Sequence, residues 1–204
     1  MDTPQVIIMA TNNAHKLEEV RQILGSAFVV RSLSDIGCTE DIPETADTLE
    51  GNALEKALYI HEHYGVDCFA DDTGLEVDAL DGAPGVYTAR FGAMNGYGES
   101  HDAAANIQCL LDKLEDAETR TARFRTVIAL VQGGKEQLFE GIVEGEILPQ
   151  RVGEGGFGYD PVFAPFEANG LAFAQMSAEA KNAISHRGRA TKKLADFLIK
   201  KSNN

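Results

Sequence analysis

Thr11-Asn12-Asn13-Ala14-His15-Lys16 joins a short apolar run to a stretch with helical periodicity. Backbone N–H groups at a helix N-terminus attract anions, and Lys16 adds a positive charge on a long side chain. Asn12 or Asn13 also suits helix capping, which accounts for the asparagines and leaves Lys16 unexplained. No G-K-[ST] follows glycines in the chain, so this is not a Walker-A loop. A second set is acidic: Asp71, Asp72, Glu76 and Asp78, with Glu44 and Glu55 upstream. Neighbours on a strand point to opposite faces, so Asp71 and Asp72 are expected to do different work. Carboxylates beside Thr73-Gly74 at a strand end suit a hard cation such as Mg²⁺, which uses one or two of them plus phosphate oxygens. An exposed acidic turn is the plain alternative.

Gly153–Asp160 contains a literal G-x-G-x-x-G, but Asp160-Pro161 blocks the helix that a dinucleotide fingerprint requires. Its glycines instead permit close backbone approach and present Phe157 as a stacking platform for a base. A turn with Phe157 in the core is the competing reading. In Lys181–Arg189, Lys181 and Arg187 suit phosphate oxygens, and His186 suits a base or sugar edge. The other histidines, His15, His61, His63 and His101, show no metal-ligand spacing.

These residues need elements to position them. Val6–Ala10 reads as a buried strand; Leu17, Val20 and Leu24 mark a helix ended by Gly25. Ala53, Ala57, Ile60 and Tyr64 mark a second helix, closed by Gly65. Asp67–Ala70 reads as a short strand running into Asp71–Gly74, and Leu75, Val77 and Ala79 as a half-exposed strand before an Asp81–Gly85 turn. Ile107, Leu110, Leu111 and Leu114 give a third helix. Gly133-Gly134 turns a hairpin between Phe124–Val131 and Leu138–Val143. A strand near Val162-Phe163 and a helix through Ala190, Leu194, Phe197 and Leu198 complete the reading. Helices interleave with strands and a hairpin interrupts them, so the expected fold is α/β, with an elongated, twisted mixed sheet flanked by helices in a single domain, residues 1–204.

The 204 residues are 44% hydrophobic and 25% charged, the balance of a soluble globular chain. Disorder is not expected outside the tail Lys200–Asn204. No apolar run approaches a bilayer span, and Met1–Ala10 lacks the pattern of a secretory signal, so the chain reads as cytoplasmic with no membrane partner. Cys38, Cys68 and Cys109 read as three inert thiols. The 18 basic and 32 acidic residues sum to −14, which argues against a nucleic-acid partner. Seven of the basic residues lie between Lys181 and Lys201. Most such runs are solvated helix faces, the alternative being a phosphate-facing patch at its start.

Four blocks together, ATNNAHK from Ala10, ADDTGLEVDALDGAPGVYTAR from Ala70, GGFGYD from Gly155 and KNAISHRGRA from Lys181, resemble the inosine triphosphatase family. The resemblance covers nearly the whole chain. It implies a mixed α/β fold with an elongated sheet and a homodimer that uses Mg²⁺ to cleave the α–β bond of deaminated purine nucleoside triphosphates (ITP, dITP, XTP), giving the monophosphate and pyrophosphate. Thr11, Asn12, Asn13, Ala14, His15 and Lys16 then resemble the phosphate-binding start of the first helix. Asp72 resembles the family's general base and metal-associated carboxylate, and Glu44 the other metal-associated acid. Thr73 stands where many members have serine, and Pro43 where some have a second glutamate. Phe157, Gly158, Tyr159 and Asp160 resemble the base-stacking and base-reading loop, and Lys181, His186 and Arg187 the residues that close over substrate. Rival readings are a non-catalytic purine-nucleotide sensor, which needs no Asp72 beside a metal, and a pyrophosphatase of ordinary nucleotides. A further one, an acidic interaction protein, leaves the glycine loop unexplained.

Overall fold

The computed structural model describes residues 4–202. Its first half contains strand β1 (Gln5–Met9), helix α1 (Ala14–Leu24), β2 (Phe28–Arg31), α2 (Leu49–Tyr64), β3 (Cys68–Val77), β4 (Pro84–Gly85) and α3 (Phe91–Met94). There follow α4 (Ala103–Lys113), β5 (Thr121–Gln132), β6 (Lys135–Ile147), β7 (Phe163–Pro165), α5 (Ala178–Ile184) and α6 (His186–Ser202). Hydrogen-bonded strands follow the order β2-β1-β3-β5-β6-β7, with β4 on β3. The pairs β1–β2 and β1–β3 are parallel, whereas β3–β4 and β6–β7 are antiparallel. The expected mixed α/β sheet with helices is what the chain forms.

The described chain divides into two compact units. The first comprises residues 4–72, 126–141 and 186–202. Its core joins Ile7 and Met9 of β1 and Phe69 of β3 to Val20 and Leu24 of α1 and Ala190, Leu194 and Leu198 of α6. Those helical residues recur at four-residue spacing, which puts one apolar stripe against a sheet. Asn13 caps α1, its side-chain oxygen accepting from the amides of His15 and Lys16, and Gly25 ends the helix at a positive φ of 59°.

The second unit comprises residues 73–125 and 142–185. Leu75 and Val77 of β3, Ile107 and Leu110 of α4, Phe124 of β5 and Val143 of β6 form its core with Phe163 and Phe173. The Phe124 and Phe163 rings meet edge to face at 4.8 Å, the arrangement aromatic quadrupoles favour.

Three expectations need correction. Asp71–Gly74 is not a turn between two strands: β3 runs unbroken from Cys68 to Val77, because the buried acids are held by cations and need no solvent-exposed bend. Ala79 lies beyond it, in the 3-10 turn Asp78–Leu80. In the tail, Lys200, Lys201 and Ser202 extend α6; Asn203 and Asn204, like Met1–Thr3 at the other end, lie outside the described residues. The short elements β2, β4, α3 and α5 were not anticipated. All three cysteines are buried thiols, and burial pushes Cys68 up to about 12. No helix among the described residues is long and apolar enough to cross a membrane.

Candidate functional site

In the first unit, β3 carries Asp71 and Asp72 side by side and sends them to different partners. The Asp71 carboxylate is fully buried; its Oδ2 lies 3.2 Å from Lys16 Nζ and 3.2 Å from both Nε and Nη2 of Arg187. The other terminal nitrogen of Arg187 pairs with Glu19 of α1. Burial by itself would raise the Asp71 carboxyl, but Lys16 and then Arg187 hold it well below the usual carboxylate range. The same desolvation lowers Lys16. Thus Lys16, which stands at the start of α1 beside exposed residues Asn12–His15, shares a buried acid with Arg187.

Asp72 faces α2. Its Oδ2 accepts a 3.1 Å hydrogen bond from Asn52 Nδ2, and its Oδ1 lies 3.7 Å from Lys56 Nζ. Lys56 also bonds to Glu44, so one buried ammonium is approached by both carboxylates. Burial acts against the charge on Lys56, yet Asp72 and Glu44 outweigh it and raise its pKa. Asp72 itself is raised by burial, against the pull of Lys56. Two hard carboxylates gathered on a cation form a donor set that fits Mg²⁺, which fills its remaining positions with water and phosphate oxygens. No group of three or more potential ligands occurs among the described residues.

The second unit holds the glycine loop. Asp160 is buried, and its Oδ2 accepts from Phe157 N at 2.8 Å and from Lys181 Nζ at 2.7 Å. Lys181 Nζ also stands 4.8 Å from the centre of the half-buried Phe157 ring, within cation–π range. Gly156 adopts a φ of +73°, and a Cβ there would collide with the Asp160 carboxylate. Tyr159 is buried and donates its hydroxyl to the Thr88 carbonyl at 3.0 Å. Thr73 is half-buried on β3.

The sequence-predicted residues therefore fall into two sets. Thr11–Lys16, Glu44, Asp72, His186 and Arg187 belong to the first unit; Thr73, Phe157–Asp160 and Lys181 belong to the second. Within the first, Asp72 and Glu44 meet on one cation, while Arg187 is only 2% exposed and committed to Asp71 and Glu19. Within the second, Lys181 is committed to Asp160 and faces Phe157. Sequence reasoning missed Lys56, Asn52 and Glu19. A signal for Lys56 was present: with Leu49, Ala53, Ala57 and Ile60 it completes the buried stripe of α2, where an unpartnered lysine would be costly.

The sequence profile of the Ham1 family matches residues 7–197. A dITP/XTP pyrophosphatase of Porphyromonas gingivalis is 54% identical over 95% of this chain and 97% of its own length. One of Flavobacterium johnsoniae is 50% identical over 94% and 97%. Among solved structures, the Staphylococcus aureus Ham1 protein superimposes with a TM-score of 0.84 at 37% identity, covering 97% of this chain and all of the other. A HAM1 protein from Coxiella burnetii gives the same score at 34% identity over 96% and 99%. With sequence and backbone agreeing over nearly the whole chain, the chain belongs to the Ham1 family.

Proposed function

We propose that this protein hydrolyses deaminated purine nucleoside triphosphates (ITP, dITP and XTP) to the monophosphate and pyrophosphate. The observation that carries the reading is the convergence of Glu44 and Asp72 on Lys56, in the unit that also holds Lys16 and the α1 N-terminus. Relatives at 50–54% identity carrying the name dITP/XTP pyrophosphatase support the substrate class. The profile match runs through both units, which supports treating residues 1–204 as one catalytic domain.

Water attack on the α-phosphorus of a polyanion needs charge neutralisation and a base, with little covalent work from the protein. Glu44 and Asp72 would hold a divalent cation, Mg²⁺ in our reading, which would supply part of that neutralisation. Lys16, the Ala14 amide and the positive end of the α1 dipole draw phosphate oxygens to Ala14–Lys16, with Asn13 capping the amides of His15 and Lys16 and Thr11 and Asn12 shaping the turn. Asp72, its carboxyl raised above the ordinary value by burial, orients the water and takes its proton. Arg187 keeps Asp71 ionised and, with it, Lys16 in place. Phe157 offers its face to the purine and Gly158 and Tyr159 the polar edge of the loop, which Asp160 holds through Phe157 N and Lys181. The family resemblance assigns further substrate contacts to Thr73 and Lys181 in the second unit and to His186 in the first. We also read the protein as cytoplasmic, and the family resemblance supports a homodimer, which light scattering checks directly.

The test is a panel of nucleoside triphosphates with Mg²⁺, its products separated by chromatography. IMP and pyrophosphate from ITP, with ATP and GTP poorly used, are expected. Orthophosphate with a nucleoside diphosphate as first products overturns the reading.

A further inference from the structure

Glu44 lies in the stretch 41–48, which has no helix or strand of its own, yet a carboxylate that must share an ion with Asp72 needs a fixed place. What fixes it is one face of α2. Ala46 N donates to Asn52 Oδ1 at 2.9 Å. Thr45 donates its backbone N–H to Glu55 Oε2 and its hydroxyl to Oε1, both at 2.7 Å. Glu44 accepts from Lys56. Positions 52, 55 and 56 stand at i, i+3 and i+4, neighbours on a helix surface, and hold residues 46, 45 and 44 in that order. The segment is laid backwards along the helix, one residue per side chain. Gly51 makes this approach feasible: a Cβ there would lie 2.6 Å from Ala46 Cβ and 3.0 Å from Thr48 Oγ1. Asn52, 1% exposed, also turns its other end to Asp72 Oδ2. One carboxamide therefore links the Glu44 segment to the neighbouring strand's acid.

We infer that Asn52 and Glu55 are positioning residues that set the separation of Glu44 and Asp72 for a divalent cation. This rests on the metal-dependent reading above and names the device that prepares its site. Neither side chain need touch substrate.

Mn²⁺ binding without nucleotide, followed by the electron paramagnetic resonance of free Mn²⁺, tests the inference independently of turnover. Glu55 is half-buried, so Glu55→Ala is expected to fold and melt close to the parent while binding Mn²⁺ about tenfold more weakly, the usual lower bound for losing a group that orients a ligand. The Mg²⁺ concentration for half-maximal ITP turnover should rise by the same factor, with kcat recovering at saturating Mg²⁺. Glu55→Gln, which keeps an acceptor for Thr45, should fall between. Adding Thr45→Val to Glu55→Ala should add little, because the pair acts as a unit. Asn52→Ala should weaken Mn²⁺ as well. Parental Mn²⁺ affinity in Glu55→Ala and Asn52→Ala, whatever their melting temperatures, overturns the inference. If the parent fails to cleave ITP yet the Mn²⁺ series behaves as described, the substrate reading falls and the positioning role stands.

Discussion

The carboxylates of Asp71 and Asp72, consecutive on β3, answer to different cations: Asp71 to Lys16 and Arg187 at 3.2 Å, Asp72 to Lys56 at 3.7 Å with Asn52 as hydrogen-bond donor. Strand alternation alone produces this division. It separates an acid that holds two cations in place from the acid proposed as the general base, and it makes the two distinguishable by mutation.

Asp72→Asn should fold and lose turnover by about 10²–10⁴-fold, the contribution typical of a general base. The amide keeps the shape but can neither take the proton nor bring charge to an ion. Steady-state kinetics with ITP at saturating Mg²⁺ checks this; near-parental kcat in the folded variant removes Asp72 from the role.

Asp71→Asn should act chiefly on stability, by about 3–5 kcal/mol, because it leaves buried cations without their counter-charge. The sign of its pH dependence follows from linkage. The folded carboxyl titrates below its ordinary value of 3.8, so its contribution is complete above that pH and fades as pH falls further toward the folded value. Urea unfolding of parent and variant should therefore differ most at neutral pH and converge in strong acid. A gap that is constant across this range would contradict the ionised pair.

Lys56→Met removes the ammonium shared by Glu44 and Asp72. The expected variant melts earlier in the absence of divalent cation and is rescued by Mg²⁺ more than the parent is, since ligand binding stabilises by mass action. Like unit charges about 4 Å apart repel by about 1 kcal/mol even in water, so loss of the ammonium should tighten Mn²⁺ by about fivefold or more. Calorimetric melts with and without Mg²⁺ decide it; an equal Mg²⁺ effect in both proteins argues against a shared site.

Phe157→Ala should weaken purine nucleotides alike, by about 1–3 kcal/mol, because every purine offers a π-face. The ratio of kcat/KM for ITP and GTP is the discriminating measurement. A changed ratio would assign base identity to this ring.

Asp160→Ala should unfold more easily by about 3–5 kcal/mol, since Oδ2 anchors both Phe157 N and Lys181. With the loop released, KM should rise for ITP and ATP together. Selective loss of the preference for ITP would instead show Asp160 reading the purine edge.

The sequence by itself determined the helices around α1, α2, α4 and α6 and the Gly133-Gly134 hairpin, because apolar period and glycine punctuation are local properties. It also determined the separate work of Asp71 and Asp72, which follows from strand geometry, and the four blocks that mark the family. Only the tertiary structure decided which charges meet. Lys16 and Arg187, 171 positions apart in the chain, share Asp71, and Lys56 gathers Glu44 and Asp72 from a loop and a strand. Nor could spacing reveal that Arg187 and Lys181 would be buried against acids. A long cationic side chain is equally at home in water or in an ion pair, and the choice turns on which carboxylate the fold brings within reach and how far both are removed from solvent.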